Sequence, residues 1–275
     1  MKKLLMLTVA ICLCSMAMAA KPIKALIVTG QNNHNWPVSH VILKQILEKD
    51  NYKVDLAISP KAGEDMSGFK PAFNDYELVV LDYNGDSWCK QTNDQFLEYV
   101  RAGKGVVIYH AANNAFNSWD EYEKIIALGG WGGRGKESKG YYTEWKDNKV
   151  VKYESSDIVG NHGKRHNYTI TCRNPKHPIT KNLPQTMVQK EDELYDHMKG
   201  VANIKDVLYT AYSDPATGGT GKEEILIFTV DYPKARIFHT MLGHAGDSVD
   251  NSPAMNNDTF RNTFLSGAAW ACKKR

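Results

Sequence analysis

The junction where Gly105-Val106-Val107-Ile108-Tyr109 runs into His110 constrains the fold more than any other stretch of the chain. Four consecutive apolar or aromatic residues after a glycine make a short strand with no polar face. Strands of this kind belong to parallel sheets covered on both sides. Open α/β sheets bind their ligands beyond the carboxyl ends of such strands. His110 is expected at that end, and Ala111 and Ala112 leave room for a ligand to approach the backbone. Taken alone, His110 reads equally well as a core histidine held by a backbone partner.

The surrounding order supports a parallel sheet. Lys24–Gly30 reads as a first strand, followed by the loop Gln31–Trp36. Pro37 suits the first turn of a helix, where its missing N–H is not needed. Val38, Val41, Ile42 and Ile46 then keep an apolar stripe at helical spacing. Tyr52–Ile58 is a second strand, and residues 59–76 are broken by prolines and glycines into loop. Leu78–Leu81 is a third strand. Thr92 with Gln95, and Ser118 with Glu121, form capping-box patterns ahead of two further helices. Phe96, Leu97 and Val100 face inward on the first, and Tyr122, Ile125 and Ile126 on the second. Alternating strands and helices predict right-handed parallel crossovers.

After Gly129-Gly130 the pattern loosens. Residues 141–166 are polar and aromatic with no clear period, and they read as an insertion over the sheet's edge. Tyr168–Cys172, Val207–Tyr212, Ile225–Val230 and Arg236–Leu242 read as strands, the last three at least partly antiparallel. A final helix starts near Asp258 and ends around Trp270. No repeat and no linker interrupts residues 21–275, which are expected to form one domain.

Residues 1–20 have the layout of a cleaved signal peptide: basic Lys2-Lys3, apolar Leu4–Leu13, then Ala17-Met18-Ala19. The apolar run is short for a membrane span. Ile11 and Leu13 are too bulky for the position before a lipidated cysteine, so a lipoprotein is disfavoured and a periplasmic or secreted location is expected. Subtracting the two leader lysines from the net charge of +3 leaves +1, which gives no case for nucleic acid or a membrane surface. Cys89, Cys172 and Cys272 show neither a disulfide framework nor zinc-type CxxC spacing.

Three loops that follow strands combine amide or carboxylate groups with an aromatic ring. They hold His34, Asn35 and Trp36; Asp82, Asn84 and Asp86 with Tyr83 and Trp88; and His110, Asn113 and Asn114 with Phe116. Sugars need this mixture, because hydroxyls want donors and acceptors while C–H faces pack on rings. Asn, Asp and Gly are also ordinary turn formers, so any one loop is weak evidence; three on one sheet edge are stronger. Glu193, Tyr195, His239 and His244 add chemistry later in the chain. His162 and His166 would share one helical face and could hold a metal, but Gly160 and Gly163 argue against a helix there. No GxSxG elbow or Walker loop is present, and no GxGxxG turn follows the first strand, where Gly30-Gln31-Asn32 leads to His34 instead. What remains is acid–base or metal-assisted chemistry by histidines and carboxylates, with a divalent metal compatible but unidentified.

Taken together, these residues resemble the trehalose-utilisation (ThuA-like) family. The resemblance rests on His34-Asn35-Trp36, Asp82–Trp88, Ile108–Asn113, Gly129–Arg134, His177–Thr180, Asp192–Tyr195 and Phe238–His244. It implies a flavodoxin-like, mostly parallel sheet flanked by helices, similar to class I glutamine amidotransferases. It also implies a role in carbohydrate metabolism beside sugar oxidoreductases that make keto-sugars. The amidotransferase nucleophile is a cysteine; here His110-Ala111-Ala112 occupies the comparable turn, so glutaminase activity does not carry over.

The expected function is therefore an exported enzyme acting on a glycoside or oxidised (3-keto) sugar by hydrolysis, elimination or isomerisation. His110 and Glu193 are its acid–base candidates, with His34 and His244 beside them. Trp36, Asp82, Asn84, Asp86, Asn113, Arg134 and Tyr195 are expected to position a small carbohydrate. The competing expectation is a carbohydrate-binding or sensing protein without catalysis. A homo-oligomer is left open.

Overall fold

The computed structural model describes residues 21–154 and 158–273; the leader expected at 1–20 lies outside them. The first half builds the parallel strands β1 (Ile23–Thr29), β2 (Tyr52–Ile58), β3 (Leu78–Leu81) and β4 (Gly105–Tyr109). Helices α1 (Trp36–Glu48), α2 (Lys90–Arg101) and α3 (Asp120–Ile126) alternate with them. β3 and β4 are buried along their whole length, as a strand covered on both faces must be.

The second half adds β5 (Tyr141–Lys146), β6 (Lys149–Tyr153), β7 (His166–Cys172), β8 (Thr186–Asp192), β9 (Lys199–Gly200), β10 (Ile204–Tyr212), β11 (Glu223–Val230) and β12 (Arg236–Thr240), then α4 (Asp258–Ala271). The main sheet has the order β2-β1-β3-β4-β12-β11-β10-β7-β8. β12 lies parallel to β4, with His239 opposite Ile108 and Thr240 opposite Tyr109. From β12 outward every pairing is antiparallel. Four reversals separate β12 from β8, so β8 again points the same way as β4. The carboxyl ends of β1, β4, β8 and β12 therefore share one edge.

Several local expectations change. β8 has no counterpart among the predicted strands; its Thr186-Met187-Val188-Gln189-Lys190-Glu191-Asp192 sequence is mostly polar because an edge strand exposes one face. The insertion is not plain loop over an edge. β5 and β6 form a hairpin that joins β9 in a three-stranded sheet, and β5 packs against β11, an interior strand. Neither capping box forms. α2 begins at Lys90, which places Thr92 inside the helix, where its hydroxyl donates to the Phe69 carbonyl at 2.5 Å. α3 is capped from Trp119 without a side-chain bond, and Glu121 pairs with Lys124 instead. The cap that does form is Asn257, whose side chain accepts the Phe260 N–H and starts α4.

α4 buries Phe260, Phe264 and Ala268 against β4 and β12. Each buried phenylalanine contributes about 1.5–3 kcal/mol relative to exposure, so this helix clamps together the two strands whose ends carry His110 and His244. The described cysteines Cys89, Cys172 and Cys272 are free. No helix among the described residues is long and apolar enough to cross a membrane.

Candidate functional site

Four strand ends deliver four side chains to one point. His34 comes from the loop after β1, His110 follows β4, Glu193 follows β8, and His244 follows β12. One ligand-type atom from each lies within 4.8 Å of all the others. Glu193 is the hub. Its Oε2 is 3.2 Å from His34 Nε2 and 3.5 Å from His110 Nε2, and its Oε1 is 3.1 Å from His244 Nδ1. His162 Nε2 stands further out, 3.6 Å from Glu193 Oε1.

The backbone is shaped for this convergence. His110 adopts φ 46°, a left-handed conformation uncommon outside glycine, and so swings its ring back under the cluster. Its Nδ1 lies 2.7 Å from the Met241 carbonyl. A carbonyl only accepts, so Nδ1 carries a proton, and Nε2 faces Glu193 and the Tyr195 hydroxyl 3.2 Å away. Gly243 sits at φ +107°, and an added Cβ would meet the Phe260 and Tyr109 rings at under 3 Å, so only glycine turns the chain there. The next residue is His244.

Asp192 holds two of these elements together. Its buried carboxylate accepts from the backbone N–H groups of Gly243 (2.7 Å), His244 (2.9 Å) and Glu193 (2.9 Å), and from Gln189 Nε2 (2.7 Å). It thereby ties the end of β8 to the loop after β12.

Electrostatics follow the geometry. Burial alone would raise the Glu193 pKa, but the imidazoles of His110, His244 and His34 beside it hold it well below the usual carboxylate range. Burial would lower His110; Glu193 and Asp192 outweigh it and raise the pKa. Burial wins at His34, which falls to about 4.

Above the cluster is a cavity of about 470 Å³ walled by Asn33, Asn84, Asn114, Trp131, His162 and Tyr195. The amides supply donors and acceptors and the indole supplies a flat apolar face. A recess of about 460 Å³ opens on the other side of His244, beside Lys164, Arg165, Asp247 and Asn251.

Of the expected substrate-positioning residues, Asn84 and Tyr195 line the cavity. The others are placed elsewhere, each for a physical reason. Arg134 is a buried strut: it donates to the carbonyls of Asn114 (2.8 Å) and Ala115 (2.9 Å) and pairs with Glu123 at 2.5 Å. Asn113 is fully buried and donates to His239 Nε2 at 3.1 Å, while His239 Nδ1 bonds the Ile126 carbonyl, which makes His239 a neutral core histidine with its pKa lowered by burial to about 3. Asp82 lies beneath the site, bonded by Ser39, Thr29 and Asn32. Asp86 accepts the Gly63 N–H and braces a loop. Trp36 opens α1 with its ring against His40. His166 bonds the Lys164 carbonyl at the start of β7 and does not share a face with His162.

Asn33, Trp131 and Asp192 were not singled out from sequence, and Asn114 was noted in its loop but not as a residue that positions substrate. Asn114 and Trp131 lie within or beside the motifs already noted, but only the fold shows that the turn after β4 points Asn114, and not Asn113, into the cavity.

Fold and site together define an α/β protein with a large mixed sheet and a histidine–carboxylate cluster at the carboxyl edge of its strands. Residues 24–271 match the ThuA family, described as trehalose utilisation, and the chain belongs to that family. It is similar to a ThuA-like protein of Parabacteroides merdae at 57% identity, covering 93% of this chain and 91% of that one, with a TM-score of 0.91. A ThuA-like protein of Bacteroides uniformis shares the fold at 18% identity and TM-score 0.56, covering 92% and 93% of the two chains. A cytoplasmic protein of Salmonella typhimurium does so at 12% identity and TM-score 0.52, covering 90% and 99%. No curated protein matches the chain.

Proposed function

We propose that this protein is an enzyme of carbohydrate metabolism acting on a glycoside or oxidised (3-keto) sugar. The observation that carries the reading is the cluster of His34, His244 and Glu193 on the floor of a cavity walled by amides and an indole, with His110 buried against them. The ring C–H next to a keto group is acidic, and a charged carboxylate beside it can remove that proton. His110 and Glu193 form the acid–base pair for that transfer, with the Glu193 carboxylate kept ionised by three imidazoles. The developing enolate oxygen needs a positive partner, supplied by imidazolium His110 or by a cation held in the cluster. Asn33, Asn84 and Asn114 would bond sugar hydroxyls, with Trp131 under the ring. The recess beyond His244 gives room for the second half of a glycoside. Elimination, isomerisation and hydrolysis all start from this proton transfer or its equivalent on water.

Export rests on residues 1–20, and the N-terminal sequence of the protein recovered from its own cells tests it. A sugar oxidoreductase would supply the keto substrate. For the activity, the wild type is incubated with glycosides and their 3-keto forms and products are read by mass spectrometry. Turnover that disappears in His110→Ala and Glu193→Gln supports the reading. Binding without any product would make this a carbohydrate-binding protein instead.

A further inference from the structure

We infer that His34, His110, His244 and Glu193 form the ligand set for one divalent first-row transition-metal ion. The inference shares its site with the sugar chemistry above and rests on that reading only for what the cation does there.

Hydrogen bonds among the four side chains do not satisfy them. His110 spends its Nδ1 proton on the Met241 carbonyl, so in its neutral form Nε2 turns a lone pair toward Glu193, with the Tyr195 hydroxyl 3.2 Å away on the same nitrogen. His244 Nδ1 is buried and lies 3.1 Å from Glu193 Oε1, yet no hydrogen-bond partner is in line with it. His34 Nδ1 is likewise buried without a partner. Buried polar atoms in native proteins are almost always paired, and two orphans on the histidines of one cluster need an explanation. A cation supplies one by taking lone pairs of the imidazole nitrogens turned toward Glu193.

The donors define the class of ion. Three imidazoles and one carboxylate suit zinc, manganese, iron, cobalt or nickel, whereas calcium and magnesium seek oxygen cages. The surrounding groups also fit. Metal-ligating histidines usually donate their other N–H to a carbonyl or carboxylate, which sets tautomer and orientation. Met241 does this for His110. Asp192 accepts four N–H bonds and offers none, which is how an ionised carboxylate behaves. Through these bonds it fixes the backbones of Glu193 and His244. Its charge together with that of Glu193 balances a dication in a largely buried site, so Asp192 is a positioning residue for the centre. A cavity of about 470 Å³ keeps one side of the cluster open to a ligand, as a catalytic metal requires and a structural one does not.

The test uses the full purified protein, stripped with a chelator and reloaded separately with Zn²⁺, Mn²⁺, Co²⁺, Ni²⁺, Mg²⁺ or Ca²⁺. Metal content is read by mass spectrometry, affinity by calorimetry, and coordination from the Co²⁺ visible spectrum. One equivalent of a first-row ion is expected, with Mg²⁺ and Ca²⁺ binding at least about 100-fold more weakly. Glu193→Gln and His244→Asn should each lose about 100-fold or more in affinity. Asp192→Asn should lose about 10–100-fold and keep the Co²⁺ band. His166→Ala should bind as wild type does. Circular dichroism screens the variants for folding, and His34→Asn replaces any that fails. A folded wild type that takes up less than a tenth of an equivalent, or a Glu193→Gln variant that binds undiminished, overturns the inference. Sugar turnover by protein that takes up no metal overturns the metal site and leaves the function; a metal-loaded protein with no turnover does the reverse.

Discussion

Two buried glutamates, Glu193 and Glu224, sit at opposite extremes although both are under a tenth exposed. Glu193 is surrounded by three imidazoles and stays charged well below the usual carboxylate range. Glu224 has one neutral partner, the Thr220 hydroxyl at 2.6 Å, with the Asp196 carboxylate nearby, and burial pushes it up to about 7. Lys222, which could have neutralised it, pairs with Glu144 instead. Burial makes a carboxyl expensive to ionise; its neighbours decide whether it ionises anyway. Cavity size does not separate the two places either. The cavity at Glu224 is the larger, about 680 Å³ against about 470 Å³. The convergence of donor atoms, and not volume, marks the site.

The largest effect expected from this contrast is on turnover. Glu193→Gln removes the charge that the three imidazoles sustain and should lower kcat on a 3-keto-glycoside by about 10²–10⁴-fold. Steady-state kinetics read this, and an unchanged kcat would erase the difference between the two regions.

Next comes a half-buried glutamate. Glu123 has the Arg134 guanidinium as its partner at 2.5 Å. Arg134→Met leaves that carboxylate and the carbonyls of Asn114, Gly130 and Ala115 without their donor and should cost about 3–5 kcal/mol in a urea melt. A loss below about 1 kcal/mol would mean that water replaces the guanidinium.

Glu224 gives the pH test. Its folded pKa of about 7 lies above the unfolded value near 4.3. Its contribution to stability is therefore whole below about pH 4.3 and fades as pH rises through 7. Glu224→Gln should be nearly neutral at pH 4 and gain about 1–3 kcal/mol on the wild type at pH 8. Asp82, also raised to about 7, stays in the variant, so the slope should shrink without vanishing. Thermal melts across that range would show a parallel, unshifted profile if Glu224 were already charged at pH 5.

The smallest effect is at the wall of the site. Trp131→Ala should weaken binding of a 3-keto-glycoside about 10-fold, with little change in melting temperature. Titration calorimetry that finds equal affinity would remove the indole from the sugar face.

Much of the first half was legible in the sequence. β1 to β4 and their helices follow from short apolar runs, helical stripes and glycine stops, since strands covered on both faces leave a nearly unbroken apolar record. Histidines at the ends of those strands were visible for the same reason. β8 was not: an edge strand with one wet face looks like loop. The capping boxes misled because Thr92 satisfies its hydroxyl across space, on Phe69, rather than on its own helix. Asn113 and Arg134 misled because the same polar groups that bind a sugar also satisfy buried carbonyls and rings, and type alone cannot separate those uses.

By itself, the sequence determined that the chain would build a parallel α/β layer with polar loops at one edge, because apolar periodicity is a local property that sets local structure. The meeting of His34, His110, Glu193 and His244 was decided only in three dimensions. It depends on β12 inserting beside β4, on four reversals that turn β8 the same way, and on Asp192 joining their ends. Strand order is settled by packing and hydrogen bonding among segments far apart in the chain, and no short window of residues carries that information.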